Sequence, residues 1–487
     1  MNPHGIGQIR LAGGSFRDPN GVLFRYQGRT IRLVKKDGVQ DLTAFLGSRT
    51  AGTFTQTGRL AATQILDPAQ AASILSDIAP GSKLDSPELV LEHETIPFQS
   101  YPYEWPFEML RAAALLTLDL AESALKEGIG LKDAAPYNVL FRGPDAVFVD
   151  LLSFEKRNAS DPIWLACGQF ERTFLIPLLS SAELDLPLEM LLLTKRDGLY
   201  PRDAYGIFGP AKRLKPAVLS SVTMPALLEH RKNPRDFESD AKRLACRAEK
   251  AEFILAALFR RLRKSINRIS TPKGRASRWS FYMLDKESYR EEQFEEKERF
   301  VAEALTEFKP RKVLDIGCNT GHFSRIAARE GASVVAIDSD TRVIGKLWES
   351  AAVDHLDILP LVVNIAQPSP PMGWRNKEMP SFLERAKGNF DAVFMLAVIH
   401  HLLVTDRIPL HEILDLIAEL TSKVAVLEFV SSNDPMFRGI ANVNQSLYVD
   451  VTNDKFERAC RERFDIVRSL RLSSSERWLY LLRRKVA

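Results

Sequence analysis

The feature that most constrains the fold is an alternation of short apolar runs and helical patterns in the C-terminal part of the chain. The runs are almost continuously hydrophobic, as expected of parallel strands that are buried on both faces. They comprise Val313–Ile316, Ser333–Ile337, Ile358–Val363, Phe390–Leu396 and Lys423–Phe429. Helical patterns fill most of the gaps, and this order predicts a doubly wound sheet.

The chain ends in a different pattern. Phe464–Leu472 and Arg477–Arg484 are strand-like runs joined by the short polar turn Ser473–Glu476, as in a hairpin. A parallel sheet that is completed by an antiparallel hairpin differs from a plain dinucleotide-binding fold. We therefore predict an α/β domain over residues 288–487, with a Rossmann-like sheet of seven strands.

Length and composition limit the remaining possibilities. With 487 residues the chain is too long for one ordinary core, so we expect at least two domains. The N-terminus lacks a basic region followed by an apolar run, and no apolar run is long enough to span a membrane. The four cysteines show no C-x-x-C spacing, which argues against a disulfide framework or a cysteine zinc site. These features predict a cytoplasmic protein.

The first half of the chain mixes strand and helix patterns. Gly21–Val34 is typical of a hairpin with a Gln-Gly turn, and Phe107–Glu127 has the periodicity of a helix. Asn138–Arg142 and Ala146–Asp150 are two short strands around a Gly-Pro turn. We predict an α+β domain over residues 1–230.

Basic residues far outnumber acidic ones between Arg231 and Arg278, which predicts a basic helical linker over residues 231–287. Apolar residues recur there at helical spacing from Leu255 to Ile266, while Arg and Lys occupy the other faces. Such a helix either connects two domains or binds RNA or another anionic surface. We favour the solvated linker, because charged helix faces are common and a net charge of +4 is too small to argue for nucleic acid.

The segment Val313–Phe323 combines a strand end, a glycine-rich turn and a helix start. Gly317 allows the backbone to approach a ligand closely, and Gly321 allows the following helix to pack tightly. Asp315 supplies a carboxylate where a cationic amine can bind. The spacing is D-x-G-x-x-x-G, which differs from the G-x-G-x-x-G of dinucleotide-binding proteins. The turn therefore predicts a ligand site without requiring a phosphate.

The next strand ends at Asp338, whose carboxylate can accept hydrogen bonds from both hydroxyls of a ribose. With the preceding turn, this acid makes the sequence resemble class I S-adenosylmethionine-dependent methyltransferases. That resemblance implies S-adenosylmethionine as the cofactor. It implies that the turn contacts the methionine part of the cofactor and that Asp338 contacts the ribose. It also implies that residues after the third strand contact the adenine and that the end of the fourth strand forms a wall of the cofactor site. We expect no metal, because no Glu-x-x-His motif or paired carboxylate accompanies the adjacent histidines His400 and His401. The implied cofactor residues are Asp315, Gly317, Cys318, Asn319, Gly321, Asp338, Asn364, Ile365 and Leu396.

His400 and His401 follow the fourth strand, whose end faces the methyl group and the substrate in this family. Imidazole titrates near neutral pH, so either side chain is a candidate general base. Methyl transfer from a sulfonium needs mainly proximity and in-line alignment, so the alternative is that both histidines only pack and cap the next helix.

Three further segments extend the resemblance over nearly the whole chain. Pro97–Trp105, Leu131–Asn138 and Gln367–Trp374 are similar to segments of bacterial methyltransferases of the NoeA (nodulation protein) type. The string Ala397–Leu402 also resembles tRNA wobble-uridine methyltransferases, but the rest of the chain is not arranged like theirs. We predict a small-molecule or glycan-type acceptor, with RNA (tRNA) as the alternative.

Asp133, Asn138 and Asp150 occur in the order D-x-x-x-x-N…D, which resembles the catalytic loop and the metal-binding aspartate of kinase-like phosphotransferases. The sequence departs from that pattern, because no glycine-rich phosphate loop is evident and Arg32 stands where a lysine is expected. The N-terminal domain is accordingly predicted to be a kinase-like module that binds substrate or nucleotide. Active phosphotransfer, turn and cap roles for these residues, and a binding protein without turnover remain alternatives.

Overall fold

The computed structural model describes residues 10–11, 17–77, 87–229, 247–272, 291–441, 448 and 451–485. The chain divides into two compact units, each of which takes a short segment from the other half of the sequence. The N-terminal unit comprises Met1–Tyr103, Phe107–Lys273 and Pro371–Pro380, and the C-terminal unit comprises Glu104–Pro106, Gly274–Pro370 and Ser381–Ala487. No helix in the described ranges is long and apolar enough to cross a membrane.

The strands are numbered in chain order. They are β1 (Arg10–Leu11), β2 (Gly21–Tyr26), β3 (Arg29–Val34), β4 (Thr63–Ile65), β5 (Leu89–His93), β6 (Ile129–Leu131), β7 (Val139–Arg142), β8 (Asp145–Phe148), β9 (Phe154–Lys156), β10 (Lys312–Ile316), β11 (Ser333–Asp338), β12 (Ile358–Val362), β13 (Phe390–Met395), β14 (Thr421–Val430), β15 (Phe464–Arg471) and β16 (Arg477–Arg484).

Helices connect these strands in both units. In the N-terminal unit they are Lys36–Leu46, Arg49–Gln56, Pro68–Asp77, Phe107–Leu125, Cys167–Phe170, Ile176–Leu184, Leu188–Thr194, Pro201–Ile207, Pro210–Arg213, Pro216–Val218, Met224–Glu229 and Ala248–Arg268, with π-helical turns at Glu171–Leu175 and Leu219–Thr223. In the C-terminal unit they are Glu291–Phe308, His322–Arg329, Thr341–Val353, Phe382–Ala386, Ile399–Val404, Leu410–Leu420, Pro435–Ala441 and Asn453–Arg463.

The C-terminal unit is built on a seven-stranded sheet of order β12-β11-β10-β13-β14-β16-β15. Strands β10 to β14 are parallel, and β16 pairs antiparallel with both β14 and β15. The strand centres are almost fully buried because helices cover them, as the apolar runs require. The predicted α/β class, the parallel strands and the final hairpin are confirmed.

The N-terminal unit contains a five-stranded sheet of order β1-β2-β3-β5-β4, in which every pairing is antiparallel. The hairpin β2–β3 turns at Gln27 and Gly28, which both have positive φ, and this confirms the predicted hairpin. Two small ribbons, β6–β9 and β7–β8, follow the long helix Phe107–Leu125. The mixed α and β character is as predicted, and the kinase-like assignment stays a prediction.

The basic helix Ala248–Arg268 departs from the expectation of a solvated linker. Its apolar stripe, which includes Leu255, Phe259, Leu262 and Ile266, is buried, and the helix packs against Phe107–Leu125. On its other faces, Arg263 donates to Asp119 at 2.5 Å and to Glu122 at 3.0 Å. The helix is therefore a packed element of the N-terminal unit, because its apolar stripe is buried against the helix Phe107–Leu125. The remainder of the predicted linker, residues 231–246 and 273–287, lies outside the described residues.

Candidate active site

A cavity of about 320 Å³ lies in the C-terminal unit where the parallel strands end. Its walls come from the residues that follow β10, β11, β12 and β13, together with the helices Glu291–Phe308 and Ile399–Val404. Open α/β sheets bind ligands at this edge, and the volume falls within the range of small-molecule sites. The lining includes Asp315, Gly317, Cys318, Asn319, Asp338, Asn364, Ile365, Leu396 and His401. All the predicted cofactor residues except Gly321 are thus brought to one place.

The turn after β10 has a left-handed backbone at three positions, Gly317 (φ 72°), Asn319 (φ 49°) and Gly321 (φ 76°). A Cβ atom at Gly317 would collide with the side chain of Val398, which also lines the cavity. One at Gly321 would collide with Leu347 of the neighbouring helix, so Gly321 serves helix packing and does not line the cavity. Asparagine adopts positive φ more readily than most residues, which accommodates Asn319 between the glycines.

Asp315 lies near the end of β10, two residues before Gly317, and its carboxylate is almost fully buried. The hydroxyl of Ser324, in the helix after the turn, donates to its Oδ2 atom at 2.5 Å. Burial raises the pKa of Asp315 to about 6, although this hydrogen bond and the nearby ammonium of Lys297 oppose the shift. Near neutral pH this carboxylate therefore has a negative charge that only a small fall in pH would neutralise.

Asp338 is a half-buried carboxylate at the end of β11. The backbone N–H of Asn319 donates to Oδ2 at 3.0 Å, and that of Asp340 donates to Oδ1 at 2.9 Å. Burial raises the pKa of Asp338, and the backbone hydrogen bonds lower it by a smaller amount. Backbone donors orient the group without neutralising it, and each oxygen keeps lone-pair capacity for a hydroxyl donor. Asp338 can therefore accept hydrogen bonds from the hydroxyls of a ribose.

Asn364 and Ile365 lie where β12 gives way to a turn, and both line the cavity. The side-chain oxygen of Asn364 accepts the backbone N–H of Ala366 at 3.0 Å, which fixes the side chain at the cavity wall. Leu396 contributes an apolar wall after β13, and Ala397 beside it has a positive φ of 58°. A flat aromatic base fits a wall of this composition, with an amide at one edge.

The two histidines lie in the helix Ile399–Val404 and differ in position. His401 lines the cavity, whereas the ring of His400 is fully buried and does not. Within the described part of the chain, neither ring nitrogen of His400 has a hydrogen-bond partner. Burial, together with His401, Arg477 and Lys297, lowers the pKa of His400 well below its usual range. His400 is therefore neutral and does not line the cavity, although its ring centroid lies 4.1 Å from that of His401.

The helix Glu291–Phe308 forms a wall of the cavity that the sequence motifs do not predict. Phe294 and Lys297 line the cavity from this helix, although both lie far before the turn in sequence. A signal was present, because Lys297 occupies the same stripe as Phe300, Val301 and Ala304, which are buried. A lysine in an apolar stripe indicates a buried charge that needs a partner.

The kinase-like residues of the N-terminal unit also come together. The Asn138 amide donates to the Asp133 carbonyl oxygen and to Ser153 Oγ, both at 3.1 Å. Asp150 accepts from Arg32 Nη1 and from Ser153 Oγ, both at 2.5 Å. Burial acts to raise the pKa of Asp150, but Arg32 and Ser153 outweigh it, so that the pKa is lowered. This aspartate is ionised and already paired with a guanidinium.

Comparison with known proteins provides independent information on this site. Residues 289–472 match a protein family described as a methyltransferase domain. The nodulation protein NoeA of Rhizobium meliloti (strain 1021) is 29% identical over 472 residues, covering 97% of this chain and 95% of that protein. Similar solved structures include N-methyltransferase NodS from Bradyrhizobium japonicum WM9 (16% identity, TM-score 0.31, 40% of this chain and 99% of that chain) and the magnesium protoporphyrin IX methyltransferase ChlM from Synechocystis PCC 6803 with bound S-adenosylmethionine (18% identity, TM-score 0.28, 40% and 80%). The family match contains every residue that lines the cavity.

Proposed function

We propose that this chain, which is an S-adenosylmethionine-dependent methyltransferase, methylates a small-molecule or glycan-type acceptor. The observation that carries the proposal is the cavity at the strand ends, which is lined by Asp315, Gly317 and Asp338, three of the residues that the family resemblance assigns to the cofactor. The composition of the cavity also supports it, since the lining combines a few polar groups with apolar side chains, as in small-molecule sites.

The role proposed for each residue follows from its position in the cavity. S-adenosylmethionine supplies a methyl group on a sulfonium, which a nucleophile can attack directly. Asp338 would hold the ribose, Asp315 would attract the ammonium of the methionine part, and Asn364 would contact the adenine edge. His401, which also lines the cavity, would take a proton from the attacking hydroxyl or amine through its imidazole.

The charge of the cavity favours a neutral or cationic acceptor over RNA. Asp315, Asp338 and Asp406 line it, and Lys297 is its one lysine or arginine among the described residues. Phosphate-rich ligands bind where Lys and Arg cluster, and a wall with three carboxylates repels them. A hydroxyl- or amine-bearing small molecule or oligosaccharide meets no such repulsion.

Cofactor titration followed by an acceptor screen tests the proposal. Calorimetry with S-adenosylmethionine and S-adenosylhomocysteine should give saturable binding to the full chain. Label from methyl-labelled S-adenosylmethionine should then pass to small hydroxylated or amine compounds or to oligosaccharides, and not to tRNA. Labelled tRNA would favour the RNA alternative, and tight cofactor binding without any turnover would favour a binding protein.

A second experiment tests the assigned base. Removing a general base typically slows the chemical step by about a hundredfold or more without weakening cofactor binding. His401→Gln should show this loss of kcat and an unchanged affinity for S-adenosylhomocysteine, and its loss should shrink as the pH is raised. If His401→Gln turns over as fast as the unaltered chain, the enzyme needs no base at this position.

The pairing of Asp150 supports a second candidate function for the N-terminal unit, a kinase-like module that binds substrate or nucleotide without transferring phosphate. A metal-binding aspartate must offer its negative charge to the cation, but here the guanidinium of Arg32 already compensates the charge of Asp150, and Ser153 donates to the second oxygen. Nucleotide binding that does not depend on magnesium, measured by calorimetry, would agree with this assignment. Magnesium-dependent nucleotide binding that Asp150→Ala abolishes would instead indicate a phosphotransferase.

A further inference from the structure

Lys297 is a buried cation at the edge of the cofactor cavity. Its side chain is 5% exposed and lines the cavity from the middle of the helix Glu291–Phe308. The ammonium lies 5.1 Å from the ring centroid of Phe323, which belongs to the first turn of the helix that follows the glycine turn. A positive charge is thereby held next to the part of the cavity that the turn encloses.

The position of this charge is fixed by a buried partner. Lys297 Nζ lies 2.5 Å from Oε2 of Glu428, a fully buried residue of β14, and Arg477 Nη1 lies 3.6 Å from the other carboxylate oxygen. Burying such charges is costly, and an apolar pair of similar volume is often at least as stable. Stability therefore does not explain why a lysine stands here, in an otherwise apolar stripe that opens onto a ligand cavity.

The chemistry of the cofactor offers an explanation. The methionine part of S-adenosylmethionine carries an ammonium and a carboxylate on one carbon, so a matching site needs one anion and one cation close together. Asp315 is the anion at the turn, and it is near enough for the charge of Lys297 to influence its ionisation. An ammonium has three N–H donors and can therefore bond a second carboxylate besides Glu428.

We propose that Lys297 binds the α-carboxylate of the cofactor, with Glu428 as the positioning residue that holds the ammonium at the cavity wall. The inference rests on the proposed function for its cofactor and is independent of the acceptor. It makes the affinity for S-adenosylmethionine depend on a residue outside the glycine turn, and it predicts selection against ligands that lack the carboxylate.

The test compares S-adenosylmethionine with decarboxylated S-adenosylmethionine, which differs only in the group that Lys297 would bind. The unaltered chain should bind the complete cofactor about 10- to 100-fold more tightly, the range expected for one charge-assisted hydrogen bond. Lys297→Met should lose this preference by weakening only the complete cofactor, and Lys297→Arg should restore part of it. The exposed Lys346→Met serves as the matched control and should retain the full preference.

The outcome separates this inference from the proposed function. If the unaltered chain binds neither compound, the cofactor assignment itself fails. If it binds both equally, or if Lys297→Met weakens both by the same factor, Lys297 has only a structural role and the inference is overturned.

A second variant guards against a loss of folding, because Lys297→Met leaves Glu428 buried beside a methionine. Lys297→Met combined with Glu428→Gln removes both charges and should fold, as shown by its thermal melt. It should bind the decarboxylated compound normally and still show no preference for the carboxylate. Glu428→Gln alone keeps the cation, so it should keep a preference, and a complete loss there would contradict the assignment of the contact to Lys297.

Discussion

The two units hold their key aspartates in different ways. In the C-terminal unit, Asp338 is oriented by the backbone N–H groups of Asn319 and Asp340. In the N-terminal unit, Asp150 is oriented by the guanidinium of Arg32 and the hydroxyl of Ser153. Backbone amides leave a full negative charge for a ligand, whereas a guanidinium compensates it. The arrangement at Asp338 therefore suits a ligand-binding site. The arrangement at Asp150 suits a cluster of charges that stabilises the fold.

The largest effect of a substitution is expected at Asp338, whose charge is available to a ligand. Asp338→Ala should weaken S-adenosylhomocysteine binding by about a hundredfold, because two hydrogen bonds to a charged group contribute roughly 3 kcal/mol together. Isothermal titration measures the loss, with a thermal melt to verify folding. Asp354→Ala, at an exposed helix end, is the control and should bind normally. If Asp338→Ala binds as tightly as the unaltered chain, Asp338 does not contact the ribose, and the contrast with Asp150 does not hold.

The second prediction separates packing from ligand contact within the same glycine turn. Gly321→Ala should lower the free energy of unfolding by about 2 to 4 kcal/mol, since a Cβ collides with Leu347 and positive φ adds strain. Gly331→Ala has a similar positive φ but open space, so about 1 kcal/mol is expected there. Denaturant unfolding gives both values. Equal losses would show that backbone strain alone explains Gly321.

A third experiment tests whether the N-terminal cluster is structural. Asp150→Ala should cost about 2 kcal/mol of stability, because it leaves the largely buried Arg32 with only the more distant carboxylate of Asp18, at 3.9 Å. Adding Arg32→Met should recover much of that loss, and S-adenosylmethionine binding should not change in either variant. A stable Asp150→Ala that has lost nucleotide binding would instead place this residue in an active site like that of the C-terminal unit.

Features of the structure that follow from short sequence segments are predicted correctly. Features that depend on tertiary packing are not. The order of strands and the glycine turn follow from short segments, so the sheet and most of the cavity lining could be predicted. The different positions of His400 and His401 depend on the residue at which the helix after β13 begins, which no short pattern specifies. Lys297 and the basic helix Ala248–Arg268 depend on which surface covers an apolar stripe, and only the tertiary structure determines that.

The smallest effect, and the sharpest test of an available charge, is the pH dependence of cofactor binding. Asp315 has a pKa of about 6, whereas the α-amino and α-carboxyl groups of model peptides titrate near 8 and 3.5. Between pH 7 and pH 5 only the protein carboxylate therefore changes among these groups. Protonation removes the charge that attracts the ammonium, so the affinity should fall with decreasing pH, by at most about tenfold per pH unit below 6.

Asp315→Asn isolates this contribution. It should bind S-adenosylmethionine more weakly at pH 7 and lose the pH dependence between pH 7 and pH 5, as measured by titration calorimetry. His322 also lines the cavity, where burial lowers its pKa and Glu298 opposes the shift. His322→Gln should leave the dependence intact. If His322→Gln removes the dependence and Asp315→Asn does not, the charge that responds to pH is on the histidine, and Asp315 is a structural partner of Ser324, comparable to Asp150 in the N-terminal unit.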